Sequence, residues 1–309
     1  TENLELKHQI FKEIEQVVKP NALIASNTSS LTIAEMAKNF QHPERFLAMH
    51  FFSPVNRMPL VEVVAGEKTS KEAIATAVEL CRKLGKTPLV VKDCPGFLVN
   101  RIFVMGANEV LWMLQEGASF ESLENMMLNF GMPMSPFMLS DEVGNDVGYK
   151  VAKTFEKAYG ERMKPPKILE AMNEHKLYGK KAGKGFYIYH GKEKKRNPEV
   201  EKILHSINGG AKAHYSETEM RDRVILSMVN EAARCLQEKI VETPDKIDMA
   251  MIMGTGFPPF RGGLLKFADE LGIPYVVDQL KRFSERNNAR FTPCDYLLEM
   301  ERNNKKFFG

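Results

Sequence analysis

The strongest constraint on this chain is an internal repeat. Arg101, Asn108-Glu109 and Leu114-Gln-Glu116 return as Arg223, Asn230-Glu231 and Leu236-Gln-Glu238, each shifted by 122 positions. Gly131-Met-Pro-Met-Ser-Pro-Phe137 returns as Gly254-Thr-Gly-Phe-Pro-Pro-Phe260 at a shift of 123, and Asp141-Glu-Val-Gly144 as Asp269-Glu-Leu-Gly272 at 128. Chance seldom keeps four such blocks in order. With helical periodicity through both stretches, they mark a duplicated helical unit.

Upstream of the repeat the pattern changes. Leu6, Ile10, Phe11, Ile14, Val17 and Val18 recur at helical spacing until Pro20. Ala22–Ser26 is a short apolar run suited to a buried strand, and Asn27-Thr28-Ser29-Ser30 offers caps for a helix over Ile33–Asn39. Phe46–Phe52 and Leu60–Val64 predict two further strands, Lys71–Leu84 a helix and Pro88–Lys92 a last strand. This alternation predicts a parallel, doubly wound sheet. Pro95-Gly96 ends it, and the remainder of the chain has a helical pattern.

The fold class expected is therefore α/β plus all-α: the second half of a Rossmann-type parallel sheet, followed by a duplicated helical domain. A sheet of this kind usually opens with a strand and G-x-G-x-x-G, and neither precedes these elements. The segments expected are 1–94 (a partial dinucleotide-binding domain), 95–190 (first helical copy), 191–216 (a polar surface connection) and 217–309 (second copy). The start at Thr1, with no signal or transit pattern, reads as a piece of something longer. Gly179-Lys-Lys-Ala-Gly-Lys-Gly185 lacks the G-x-x-x-x-G-K-[ST] spacing of a phosphate loop.

Composition narrows the function by exclusion. With 43% hydrophobic and 27% charged residues the chain has material for a core, and a net charge of +3 is no footprint for nucleic acid. The four cysteines form no C-x-x-C pair and the seven histidines show no metal-ligand spacing, so neither a metal site nor a disulfide framework is expected. No stretch reaches the ~18 apolar residues of a membrane helix, which leaves peripheral association open.

His50 stands toward the carboxyl end of a predicted strand, where open α/β sheets place their ligands. Position alone favours a satisfied core histidine over a catalytic one. Glu62, between Val61 and Val63, is a carboxylate in a strand made for burial and needs donors to stay ionised. An imidazole held by a carboxylate can accept a proton at neutral pH, and a structural ion pair is the competing account. Ser29 and Asn100 have simpler readings as helix caps.

Ser-Asn-Thr-Ser-Ser-Leu (26–31), His-Phe-Phe-Ser-Pro-Val (50–55), Pro-Leu-Val-Glu-Val (59–63), Lys-Asp-Cys-Pro-Gly-Phe-Leu-Val-Asn-Arg (92–101) and Gly-Lys-Lys-Ala-Gly-Lys-Gly-Phe-Tyr (179–187), in this order and spacing, resemble the L-3-hydroxyacyl-CoA dehydrogenase family. The duplicated helical part resembles the multifunctional branch, in which an enoyl-CoA hydratase domain precedes the dehydrogenase. The ending, Arg290-Phe-Thr-Pro-Cys294 with Asn304-Lys-Lys-Phe-Phe308, is most similar to mitochondrial alpha subunits of that branch, with bacterial ones close.

The resemblance implies NAD-dependent oxidation of 3-hydroxyacyl-CoA in β-oxidation. His50 is then the general base, Glu62 its orienting carboxylate, and Ser29 and Asn100 the residues that hold the substrate oxygen. It implies Glu2, Lys7, Ser29, Ser53 and Lys181 on the cofactor side, with Ser53 standing where monofunctional members carry asparagine. It also implies a thiolase partner subunit and the mitochondrial matrix, or else the bacterial cytoplasm. The second copy, lacking a counterpart of His50, is expected to be structural and to pack on the first as an internal pseudo-dimer. This chain alone is expected to bind NAD poorly. A non-catalytic interaction segment is the competing reading, disfavoured by Ser29, His50, Glu62 and Asn100 occurring together.

Overall fold

The computed structural model describes residues 3–29, 31–191 and 193–309. Contacts group the chain into two compact units, one of residues 1–101 with 232–255, the other of 102–231 with 256–309.

The first unit opens with helix α1 (Leu4–Val17), capped by Asn3, whose side chain accepts from the Leu6 N–H at 3.0 Å. Strand β1 (Ile24–Ser26) and the short helix α2 (Ile33–Met36) follow, then β2 (Phe46–Phe51), β3 (Leu60–Ala65), helix α3 (Lys71–Lys83) and β4 (Thr87–Lys92). The four strands form one sheet in the order β1-β2-β3-β4.

Two of the three pairings are parallel, as expected, and β2 with β3 is antiparallel. The reason is the link between them. Residues 52–59 contain no helix, and a parallel return needs a crossover of a dozen or more residues. Because side chains alternate along a strand, Leu47, Met49, Val61 and Val63 share one face of the sheet and pack on Ala73, Ala77 and Cys81 of α3. His50 and Glu62 fall on the other face.

The helical part begins with α4 (Val99–Glu116), α5 (Phe120–Phe130), α6 (Pro136–Val143), α7 (Asn145–Tyr159) and α8 (Lys167–Glu174). A hairpin of β5 (Tyr187–His190) and β6 (Glu193–Arg196) leads to α9 (Pro198–Asn208), α10 (Glu217–Gln237), α11 (Pro244–Thr255), α12 (Leu264–Leu271), α13 (Ile273–Asn287) and α14 (Asp295–Arg302). No helix among the described residues is long and apolar enough to cross a membrane.

The stretch expected as a plain surface connection thus carries β6 and an eleven-residue helix. Asn197 caps α9, Pro198 takes its first position, Gly209 closes it at φ 66°, and Val200 and Ile203 are buried. Its charges hide these signals.

The repeat reaches further than the matching blocks. At a shift of 128, α6, α7 and α8 share their bounds with α12, α13 and α14. Buried positions coincide as well, Phe155 with Phe283, Met163 with Phe291 and Met172 with Met300. In this register Phe137 matches Leu265, both fully buried, whereas Phe260, its partner by sequence, is 74% exposed. The second copy therefore holds five extra residues before α12, where the shift passes from 123 to 128.

Both copies also end alike. Asp141 accepts from the backbone N–H of Phe186 and Tyr187 at 2.9 and 3.0 Å, and Asp269 from those of Phe307 and Phe308, both at 2.9 Å. This explains the glycine-lysine segment. A Cβ on Gly185 would stand 2.0 Å from Asp141 Oδ1, so the glycine lets the chain close around the carboxylate. Burial pushes the Asp141 carboxyl up, against the hydrogen bonds it accepts.

Candidate active site

In the antiparallel register of β2 and β3, His50 lies directly opposite Glu62. Such pairs bring Cβ atoms to about 5 Å, and here the side chains close the gap. His50 Nδ1 is 2.7 Å from Glu62 Oε2, with side-chain exposures of 4% and 0%. The other carboxylate oxygen, Oε1, accepts from the backbone N–H of Leu98 and of Val99, each at 3.0 Å. Two backbone amides and the imidazole thus converge on one buried carboxylate.

The two backbone donors are aimed by a turn. Phe97 N donates to Cys94 O at 2.9 Å, Gly96 has φ 77° and Phe97 itself φ 53°. A buried phenylalanine in the left-handed region is strained, and strain of this kind gathers at functional sites. Here it starts α4 with its first amides pointing at Glu62. The Phe97 and Phe52 rings stand 5.6 and 4.6 Å from the imidazole between centroids, so one side of His50 is apolar.

The tautomer that donates Nδ1–H to the carboxylate leaves Nε2 as the acceptor nitrogen of the His50 ring. The 2.7 Å contact is compatible with a structural ion pair and with the catalytic reading alike. A carboxylate that orients an imidazole and stabilises its protonated form is what a general base requires.

Asn100, the second residue of α4, donates Nδ2 to the Ser29 carbonyl at 3.5 Å, which joins two of the expected substrate contacts. Ser29 does not cap α2. Thr32 does, in a capping box with Glu35, while Asn27 accepts from the Phe51 N–H at 3.3 Å. Lys7 is buried and donates Nζ to Ser26 Oγ at 2.9 Å, at the carboxyl end of β1. Ser53 is exposed, two residues beyond β2. Lys181 belongs to the other unit, where its Nζ lies 2.6 Å from Asp146 Oδ1. Glu2 lies outside the described residues.

The groups missed in the sequence are the amides of Leu98 and Val99 and the rings of Phe52 and Phe97. Pro95-Gly96 directly before a long apolar helix was the available signal for the first pair.

The 3-hydroxyacyl-CoA dehydrogenase NAD binding domain matches residues 1–94, and the C-terminal domain of the same family matches twice, over 96–189 and 220–306. The fatty acid oxidation complex subunit alpha of Acinetobacter baumannii is 45% identical over 318 residues, which is 100% of this chain and 44% of that relative. The chain thus spans less than half the length of such relatives, and the Acinetobacter and Shewanella ones are bacterial. Among solved structures, a 3-hydroxybutyryl-CoA dehydrogenase from Escherichia coli shares the fold (TM-score 0.82, 23% identity, 97% of this chain and 79% of that one). An (S)-3-hydroxybutyryl-CoA dehydrogenase from Ralstonia eutropha is 37% identical over 62% of this chain and 68% of its own, with a TM-score of 0.59. The chain belongs to the 3-hydroxyacyl-CoA dehydrogenase family.

Proposed function

We propose that this chain carries the NAD-dependent oxidation of (S)-3-hydroxyacyl-CoA to 3-oxoacyl-CoA in fatty-acid β-oxidation, as the dehydrogenase portion of a longer multifunctional polypeptide. The observation that carries the reading is the buried His50–Glu62 pair at 2.7 Å, with Glu62 held by two backbone amides. His50 Nε2 takes the proton of the 3-hydroxyl group, and Glu62 stabilises the imidazolium that results. Ser29 and Asn100 hold the substrate oxygen, a contribution of position and not of proton transfer.

When bound, NAD supplies the acceptor for the hydride that leaves C3. The chemistry of the donors around the carboxyl ends of β1 and β2 suits it: the Lys7 ammonium and the Ser29 and Ser53 hydroxyls can serve ribose and carboxamide oxygens. Glu2 and Lys181 join this set by motif.

A thiolase subunit is the partner that fits, because the 3-oxoacyl thioester is the substrate of thiolytic cleavage and the relatives are named as subunits of a complex. Their bacterial origin favours the bacterial cytoplasm over the mitochondrial matrix. Boundaries at 94/95, 190/191 and 216/217 are our division of the chain into dehydrogenase domains.

The test is His50→Gln in the natural polypeptide, followed by NADH consumption with acetoacetyl-CoA. General-base loss lowers kcat by about 10²–10⁴-fold with circular dichroism unchanged. Retained activity in a folded variant rejects the assignment.

A further inference from the structure

Gly254 sits in the last turn of α11, in the second copy of the repeat, with helical backbone that any residue could adopt. Glycine weakens a helix relative to alanine, so its presence needs another reason. Space supplies one. A Cβ at this position would stand 3.1 Å from Leu60 Cδ2, 3.1 Å from Val99 Cγ1 and 3.4 Å from Phe52 Cε1.

Each of those neighbours bears on the His50–Glu62 pair. Leu60 is two residues before Glu62 on β3, hence on the same face of the sheet. Val99 gives Glu62 one of its two amides, and the Phe52 ring packs against the imidazole. The segment is also tied to its own unit at two other points. Lys92 N donates to Ile240 O at 2.9 Å, and Arg101 makes a two-pronged bond to Glu238 at 2.6 and 2.9 Å.

We propose that Gly254 is a positioning residue for the His50–Glu62 pair, so that the second copy, expected to be purely structural, forms one wall of the catalytic housing. This rests on the pair being catalytic. Any side chain at 254 pushes on Val99 and Phe52, and through them on the amide that holds Glu62 and the ring that holds His50.

The experiment places Gly254→Ala, Gly254→Val and His50→Gln in the natural polypeptide and measures kcat, KM for acetoacetyl-CoA and melting temperature. Displacements of a few tenths of an ångström at the base predict a kcat about three- to tenfold lower for Gly254→Ala and more than about tenfold lower for Gly254→Val, with KM held within about twofold. Gly254→Ala melts no lower than the parent. Adding Val99→Ala to Gly254→Ala restores at least half of the lost kcat, a coupling that separate effects on folding would not show. The proposal is overturned if kcat of the folded Gly254→Ala and Gly254→Val proteins stays within about twofold of the parent, or if the loss appears only in KM or in the folded fraction. Failure of the catalytic reading looks different: His50→Gln would then keep its activity, whatever happens at Gly254.

Discussion

Arg290 donates its Nε to Glu109 at 2.5 Å, joining the second copy of the repeat to the first. The converse bond exists too, from Arg162 Nε to Glu231 at 3.2 Å, and 162 and 290 are equivalent positions at the shift of 128. Arg223 reaches Glu116 at 2.6 Å as Arg101 reaches Glu238 at 2.6 Å. Each arginine takes the glutamate of the other copy, the reciprocity expected of a two-fold interface.

Glu109 and Arg223 are both about 1% exposed and 2.9 Å apart. Glu109→Ala leaves two guanidiniums without that carboxylate, and breaking one partner of a buried pair costs about 3–5 kcal/mol. Glu79→Ala, which breaks the exposed pair with Lys83, is expected within about 1 kcal/mol of the parent. Urea unfolding of both variants checks the contrast, and equal midpoints would refute it.

Asn230 and Asn108 are equivalent but unequally served. Asn230 donates Nδ2 to Thr292 O at 2.9 Å and accepts from Cys294 N–H at 2.9 Å. The position matching Cys294 is Pro166, which has no N–H, and Asn108 Nδ2 is buried without a partner among the described residues. Asn230→Ala should therefore destabilise by about 1–3 kcal/mol more than Asn108→Ala. Thermal unfolding of the two single variants decides it, and a larger loss at Asn108 would contradict the account.

The Tyr215 hydroxyl donates to Glu116 at 2.8 Å, and burial, followed by that carboxylate, pushes its pKa up to about 12. An ordinary phenol titrates near about 10. Because the folded value is the higher one, the stabilisation is whole below about pH 10 and is lost as pH rises toward about 12. The tyrosinate difference spectrum between the parent and Tyr215→Phe should have its midpoint near 12; a midpoint near 10 would show an unperturbed phenol.

Glu62→Gln keeps an oxygen for the amides of Leu98 and Val99 but presents an NH₂ group or a neutral oxygen to His50. Loss of the fixed charge should lower kcat by about 10²–10⁴-fold while the fold persists, as for the orienting carboxylate in related dyads. Measured kcat within about tenfold of the parent would reduce Glu62 to a packing role.

Much of the fold is readable from the residues alone. The break at Pro95-Gly96, α1, α3 and the candidacy of His50 and Glu62 follow from periodicity and from where α/β sheets place ligands. That the two residues touch is not readable, because contact depends on an antiparallel register where alternating helices and strands suggest parallel neighbours. Backbone donors leave no trace in side-chain identity, so the amides of Leu98 and Val99 stay hidden. The later part of the repeat is equally silent. Positions such as Met163 and Phe291 agree in burial and not in residue type, and a chain records the first only through the second.

In a homodimer every interface substitution occurs twice, once on each side of the axis. Here the two sides are separately encoded. Asn230 could keep its bond to Cys294 while the matching site became Pro166, and Gly254 could be shaped to the sheet with no second sheet to satisfy. Joining both halves in one polypeptide also makes their pairing independent of protein concentration, since the effective concentration is set by the connection between them. Dilution cannot separate them, and each half is free to specialise.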